Sequence, residues 1–207
     1  MSASTAPKPF NQRKRLFVIQ GLSIAAVGSL AFSRPGWDEA SFLHEFLEML
    51  GFIFILGCIF GRLLSILYVG GRKNSDLVVS GPYSITRNPL YLFSAIGAVG
   101  IGLMFGSVIV AAILGVCTYV IFDVTSRKEE EFLHATFGRT YEGYVARTPR
   151  FWPNPWLFRD EQQHAFSTEA LKRTFFDALY FLAVFPVIEG FEYLQVAGYL
   201  PTFFRLF

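Results

Sequence analysis

Four stretches of the chain are almost continuously apolar: residues 16–32, 43–69, 90–105 and 107–124. Crossing a bilayer as a helix takes about 20 apolar residues. The first stretch, at seventeen residues, is short but workable for a span. The third and fourth read as a helical hairpin turning at Gly106. A fifth apolar stretch starts at 174 and is interrupted by Pro186, Glu189 and Glu192. It fits either a fifth span or a helix lying along the interface. The pattern predicts an all-α polytopic membrane bundle of four or five transmembrane helices. It divides into a disordered polar tail (1–12), a membrane core (13–173) and a C-terminal apolar segment (174–207). The basic triplet at 13–15 before the first run is also a signal-peptide feature, but the membrane-like remainder favours an uncleaved first span.

Composition agrees with this reading. The chain is 53% hydrophobic and only 16% charged, against about a quarter charged in soluble domains. A net charge of +2 gives no footing for nucleic acid. Cys58 and Cys117 lie inside apolar segments without CxxC spacing. His44, His134 and His164 form no HxxxH or HExxH pair, so no metal site is expected.

The distribution of charge sets topology. With the N-terminus in the cytoplasm, fifteen of the eighteen Lys and Arg residues fall inside; Arg34 and Arg205 fall outside, and Arg62 lies within a span. Positive residues flank cytoplasmic span ends, so the polar intervals 70–89 and 126–173 face the same compartment and can meet. In a bacterium this would be the inner membrane. Arg62, about 10 Å from the cytoplasmic end of its span, either snorkels to the surface or is functional. Gly97, Gly100, Gly102 and Gly106 superficially suggest a dinucleotide loop, but no strand precedes them and no acidic residue follows at the required distance. Ala98, Gly102 and Gly106 instead form a small-residue stripe for close helix packing.

The first polar interval ends in GPYSITRNPLY (81–91). Gly81-Pro82 forms a turn. Pro89 suits the first position of the next helix and biases Asn88 away from helical conformation. Arg87 is thereby held beside a helix N-terminus, a setting for a carboxylate or phosphate. In the second interval Glu129, Glu130 and Glu131 follow the fourth span with no breaker, so the helix should continue into the cytoplasm and end at Gly138. Glu129 then shares a face with Leu133 and Phe137, and Glu130 with His134. Tyr141, Tyr144 and TPRFWP (148–153) follow.

LVVSGPYSITRNPLYLF (77–93) resembles the first signature of the isoprenylcysteine carboxyl methyltransferase and phospholipid methyltransferase superfamily of integral-membrane enzymes. EEEFLHATFGRTYEGY (129–144), followed by TPRFWP, resembles the second. The motifs stand in family order on either side of a helical hairpin, and the resemblance covers roughly residues 50–155. Asn88 stands where many members carry His, and Ser75-Asp76 where others carry His before the Leu-Val pair. The resemblance implies S-adenosylmethionine as cofactor, bound without a Rossmann domain at a cytoplasmic-face active site. It places Leu77, Val78, Gly81 and Tyr83 around the adenosine, with Arg87, Asn88, Pro89 and Tyr91 near the amino-acid moiety and methyl group. Glu129 and Glu130 would hold cationic parts of the cofactor, and Tyr141 would complete the pocket. Arg87, Glu129 and Glu130 are the candidate catalytic residues. The expected acceptor is a lipophilic carboxylate or thiolate from the bilayer. A phospholipid amine, or a non-catalytic lipid-binding or scaffold role, are the alternatives.

Overall fold

The computed structural model describes residue 28 and residues 32–37, 41–70, 76–160 and 166–206. The expected tail and nearly all of the expected first span lie outside the described residues, as does Ser75. Six helices are described: α1 (Phe42–Val69), α2 (Pro82–Ile85), α3 (Pro89–Met104), α4 (Val108–Phe137), α5 (Arg139–Val145) and α6 (Thr168–Val196). A 3-10 turn spans Pro155–Leu157, and two short strands, β1 (Ser33–Pro35) and β2 (Phe204–Leu206), complete the order. α1, α4 and α6 are each long and apolar enough to cross a membrane, and α3 is a shorter apolar helix. The architecture is a helical membrane bundle.

Small residues let α1 and α3 pack backbone to backbone. A Cβ on Gly51 would come within 2.6 Å of the Gly100 carbonyl oxygen, one on Gly97 within 2.6 Å of Cys58 Sγ, and one on Gly61 within 2.2 Å of the Phe93 ring. Close approach of this kind holds membrane helices together where lipid removes the hydrophobic incentive to associate. The expected stripe holds in part, at Gly102. Gly97 and Gly100 face α1, Gly102 abuts Ala111 of α4, and Gly106, at φ 72, forms the hairpin turn. Ser107 caps α4 by accepting from the Val110 N–H at 3.2 Å.

α6 crosses the bundle from end to end. Near its start Ala170 lies against Gly70, close to the end of α1. Towards its other end Ile188 joins Ile55, Met104 and Phe105 in a core cluster. Pro186 does not stop it, in keeping with the tolerance of membrane helices for proline. Beyond Gly198, at φ 78, the chain returns as β2 and pairs in parallel with β1, aligning Ser33 with Phe204 and Arg34 with Arg205. Gln195 supports this join, accepting from Arg34 Nε at 3.2 Å and donating to the Ser33 carbonyl at 3.2 Å. No strand is expected from the sequence pattern here; three-residue strands carry no readable period, and their pairing is set by where α6 ends.

Candidate active site

The two polar intervals meet, and backbone groups make most of the joins. Gly81, at φ 58, donates its N–H to the Arg159 carbonyl at 2.7 Å. Asn154 N–H donates to the Ile85 carbonyl and Arg87 N–H to the Pro149 carbonyl, both at 2.9 Å. Thr86, 1% exposed, directs its hydroxyl at the carbonyls of Arg150 and Phe151, at 3.0 and 3.1 Å. Asn88 Nδ2 donates to the same Arg150 carbonyl at 3.2 Å. Tyr144 OH closes the seam on the Tyr83 carbonyl at 2.7 Å. Segment 144–159 is thus strapped over the loop that precedes α3.

Pro89 opens α3 as its first residue, and the preceding Asn88 makes no side-chain cap. α4 runs unbroken for 30 residues to Phe137 and ends at Gly138, at φ 51. At about 1.5 Å per residue it is about 45 Å long, well beyond a hydrocarbon core of about 30 Å. Its last turns therefore carry the Glu129–Glu131 run out of the bilayer, beside the N-terminus of α3.

The two candidate carboxylates have different surroundings. Glu130 accepts from Arg150 Nε at 3.0 Å and Arg150 Nη2 at 2.7 Å, a bidentate fork, and lies 3.4 Å from Arg87 Nη1. Arg150 also reaches Asp123 at 3.4 Å, and its hydrogen bonds to Glu130 raise its pKa. Glu129 is exposed and accepts from Tyr91 OH at 2.7 Å. Tyr91 is held by its ring, stacked on Phe122 with centroids 4.6 Å apart. Arg87 is only 10% exposed, and its Nε is buried without a partner. Tyr141 and Tyr144, 2% and 4% exposed, lie near Arg87 and Glu130. Burial pushes both phenols up, Arg87 partly offsetting it. Tyr83 is pushed up by burial and by nearby Tyr144 and Glu129.

Arg87, Asn88, Pro89, Tyr91, Glu129, Glu130 and Tyr141 are gathered at this junction. Val78 is buried in the adjoining loop and Leu77 is half-buried. Gly81 is occupied by its own chain: a Cβ there would meet the Tyr68 ring at 2.2 Å. His134 turns from Glu130 to Glu142, at 3.1 Å. Sequence reasoning missed Arg150, Asp123 and Thr86. Arg150 was visible inside TPRFWP, but its link to Glu130 spans a 20-residue gap that no helical period bridges.

A bundle with three span-length apolar helices, and a charged, tyrosine-rich junction beside the start of α3 and the end of α4, defines an integral membrane protein. The chain belongs to the phospholipid methyltransferase family, whose model matches residues 47–140. It is 34% identical to the cobalt-zinc-cadmium resistance protein CzcN of Cupriavidus metallidurans over 95% of this chain and 90% of that protein. It is 32% identical to the nickel-cobalt-cadmium resistance protein NccN of Alcaligenes xylosoxydans xylosoxydans over 99% of this chain and 96% of that one. A shorter match, 29% over 39% of this chain and 35% of the relative, is to the protein-S-isoprenylcysteine O-methyltransferase of Schizosaccharomyces pombe. No solved structure matches significantly. Among the described residues no group of three His, Cys, Asp or Glu side chains is placed to hold a metal ion.

Proposed function

We propose that the chain transfers a methyl group from S-adenosylmethionine to a lipophilic acceptor drawn from the bilayer, at the cytoplasmic face. The observation that carries this reading is the junction itself. A nearly buried arginine with an unpartnered Nε stands 3.4 Å from Glu130, and the next residue of α4, the exposed Glu129, takes the Tyr91 hydroxyl from the first turn of α3.

The donor set fits the proposed cofactor. Arg87 Nε is a buried hydrogen-bond donor able to take a carboxylate, and the uncapped N-terminus of α3 adds to the attraction. Glu129 has carboxylate capacity beyond its bond to Tyr91, enough to face an ammonium or sulfonium. Leu77, Val78 and Tyr83 offer apolar and aromatic surface for the adenosine. When bound, the cofactor supplies an electrophilic methyl on a positively charged sulfur. Glu130, held by two arginines, positions Arg87 and is poorly placed to take a proton. The strap at 144–159 covers the loop before α3, and exclusion of water there would favour neutralising an anionic nucleophile against a cation. A carboxylate or thiolate acceptor needs no base, and Arg87 attracts one. An amine acceptor is the second reading. The exposed Glu129 favours it, as the group free to accept the proton an amine must lose.

Purified protein incubated with methyl-labelled S-adenosylmethionine and a membrane lipid extract tests the proposal. Saturable binding and label appearing in a lipid fraction are expected, and Arg87→Ala and Glu129→Gln should each abolish transfer. Absence of saturable cofactor binding would instead favour a non-catalytic lipid-binding role. The two near-full-length relatives are named for metal resistance, and we infer that methyl transfer here serves the same end. Rescue of metal tolerance in a deletion strain by wild type but not by Glu129→Gln checks that link.

A further inference from the structure

Arg62 sits inside α1, seven residues before Val69, about 10 Å below the end of the helix. Its Nη1 donates to Ser94 Oγ on α3. Ser94 is itself fixed, because its proton goes to the Leu90 carbonyl at 2.7 Å. The guanidinium carbon lies 6.0 Å from the centre of the Phe181 ring on α6. Arg62 Nε is buried with no partner, and among the described residues no carboxylate pairs with the side chain. The apolar run 16–32 contains no acidic residue either.

A guanidinium keeps its charge in proteins, and an intramembrane charge is costly unless something compensates it. One neutral hydroxyl and one ring face do not supply an opposite charge. Three helices thus converge on a cation with a free, buried donor, at bilayer depth. Ser94 lies one turn further into the membrane than Tyr91, the partner of Glu129.

We propose that Arg62, Ser94 and Phe181 form an anchoring site for the anionic group, carboxylate or phosphate, of a lipophilic molecule. The inference rests on the reading of the chain as an enzyme acting on bilayer-borne acceptors. It makes those acceptors anionic amphiphiles gripped one turn below the methyl-transfer junction. Arg62 binds and orients; it does not touch the reacting atoms.

The test uses the full-length protein in phosphatidylcholine nanodiscs with a palmitate carrying a diazirine in its chain. Saturable photolabelling of peptides from α1, α3 or α6 is expected, displaced by unlabelled palmitate and by lysophosphatidate. Hexadecanol, with the same chain and no charge, should not displace it; equal displacement by hexadecanol overturns the proposal without any variant. Displacement by inorganic phosphate at the same concentration overturns the lipid assignment. Arg62→Gln should weaken labelling about tenfold or more, as loss of a charge-assisted hydrogen bond implies, while Arg62→Lys retains most of it. Unchanged labelling in Arg62→Gln refutes the site. Cofactor binding is measured separately on the same samples, so failure of the methyltransferase reading and failure of the anion site give different results.

Discussion

Replacing Glu130 with glutamine should damage stability, whereas replacing Glu129 should damage cofactor binding. Glu130 takes two hydrogen bonds from Arg150, at 3.0 and 2.7 Å, and lies 3.4 Å from Arg87 Nη1. Hydrogen bonds to charged groups contribute about 1.5–3 kcal/mol each. Arg150 is 31% exposed and keeps Asp123 as a second partner, so water and Asp123 recover much of its loss. Arg87 is 10% exposed and has no other carboxylate in reach among the described residues, so it bears most of the cost. Glutamine keeps one acceptor oxygen but turns an amide into one arginine or the other. The net expectation is about 2–3 kcal/mol, below the 3–5 kcal/mol typical of breaking a fully buried pair. Glu129→Gln should cost under about 0.5 kcal/mol, as for surface substitutions, yet weaken S-adenosylmethionine binding at least about tenfold. Denaturant or thermal unfolding of the purified protein in detergent gives the first quantity, and equilibrium binding of labelled cofactor the second. If Glu130→Gln unfolds like wild type, or if Glu129→Gln is the less stable of the two, the division of labour between these neighbours is wrong.

Three further outcomes follow from the packing and the seam. Gly51→Ala places a Cβ within 2.6 Å of the Gly100 carbonyl and 2.5 Å of the Met104 nitrogen; since backbone cannot step aside, a loss of about 1–3 kcal/mol is expected by unfolding. Gly57→Ala, with nothing within 4 Å, is its neutral control. Thr86→Val keeps the shape but removes the hydroxyl aimed at the Arg150 and Phe151 carbonyls, and should cost about 1–2 kcal/mol and speed proteolysis of segment 144–159. Stability should fall as pH rises above about 10, where the unfolded chain releases phenolic protons. Tyr83, Tyr141 and Tyr144 have raised pKa values in the fold, so above that pH the folded state holds more protons than the unfolded one. The slope is at most about 1.4 kcal/mol per pH unit per tyrosine. Melts between pH 8 and 11 check it, and a flat profile would contradict the burial of these hydroxyls.

The features legible in the sequence were those encoded locally. Apolar runs long enough to span, the proline at the start of α3, the glycine ending α4 and the unbroken exit of the Glu129–Glu131 run each depend on neighbours within a few residues. The meeting of the two polar intervals followed from charge bias alone. What stayed hidden depends on distant pairing. Arg150 matters because a carboxylate one helix away faces it, and Gly81 is filled by Tyr68 from the preceding span. Gly97 and Gly100 face α1, while Gly106 turns the chain; the fourfold spacing that joined Gly106 to Gly102 held no information about a partner helix. Arg62 was visible as an oddity, but only the convergence of Ser94 and Phe181 gives it an address.

The uninterrupted course of α4 has a mechanical consequence. From Val108 to Glu129 there is no hinge, so the carboxylate rides on a ruler whose zero mark is set at the opposite leaflet. About twenty residues consume the hydrocarbon thickness, which leaves Glu129 at the level where headgroups begin. A thicker or thinner bilayer would tilt the ruler before it bent any loop, and would raise or lower Glu129 against the headgroups. Under the proposed methyl transfer, the reach of Glu129 would be partly a property of the lipid around it.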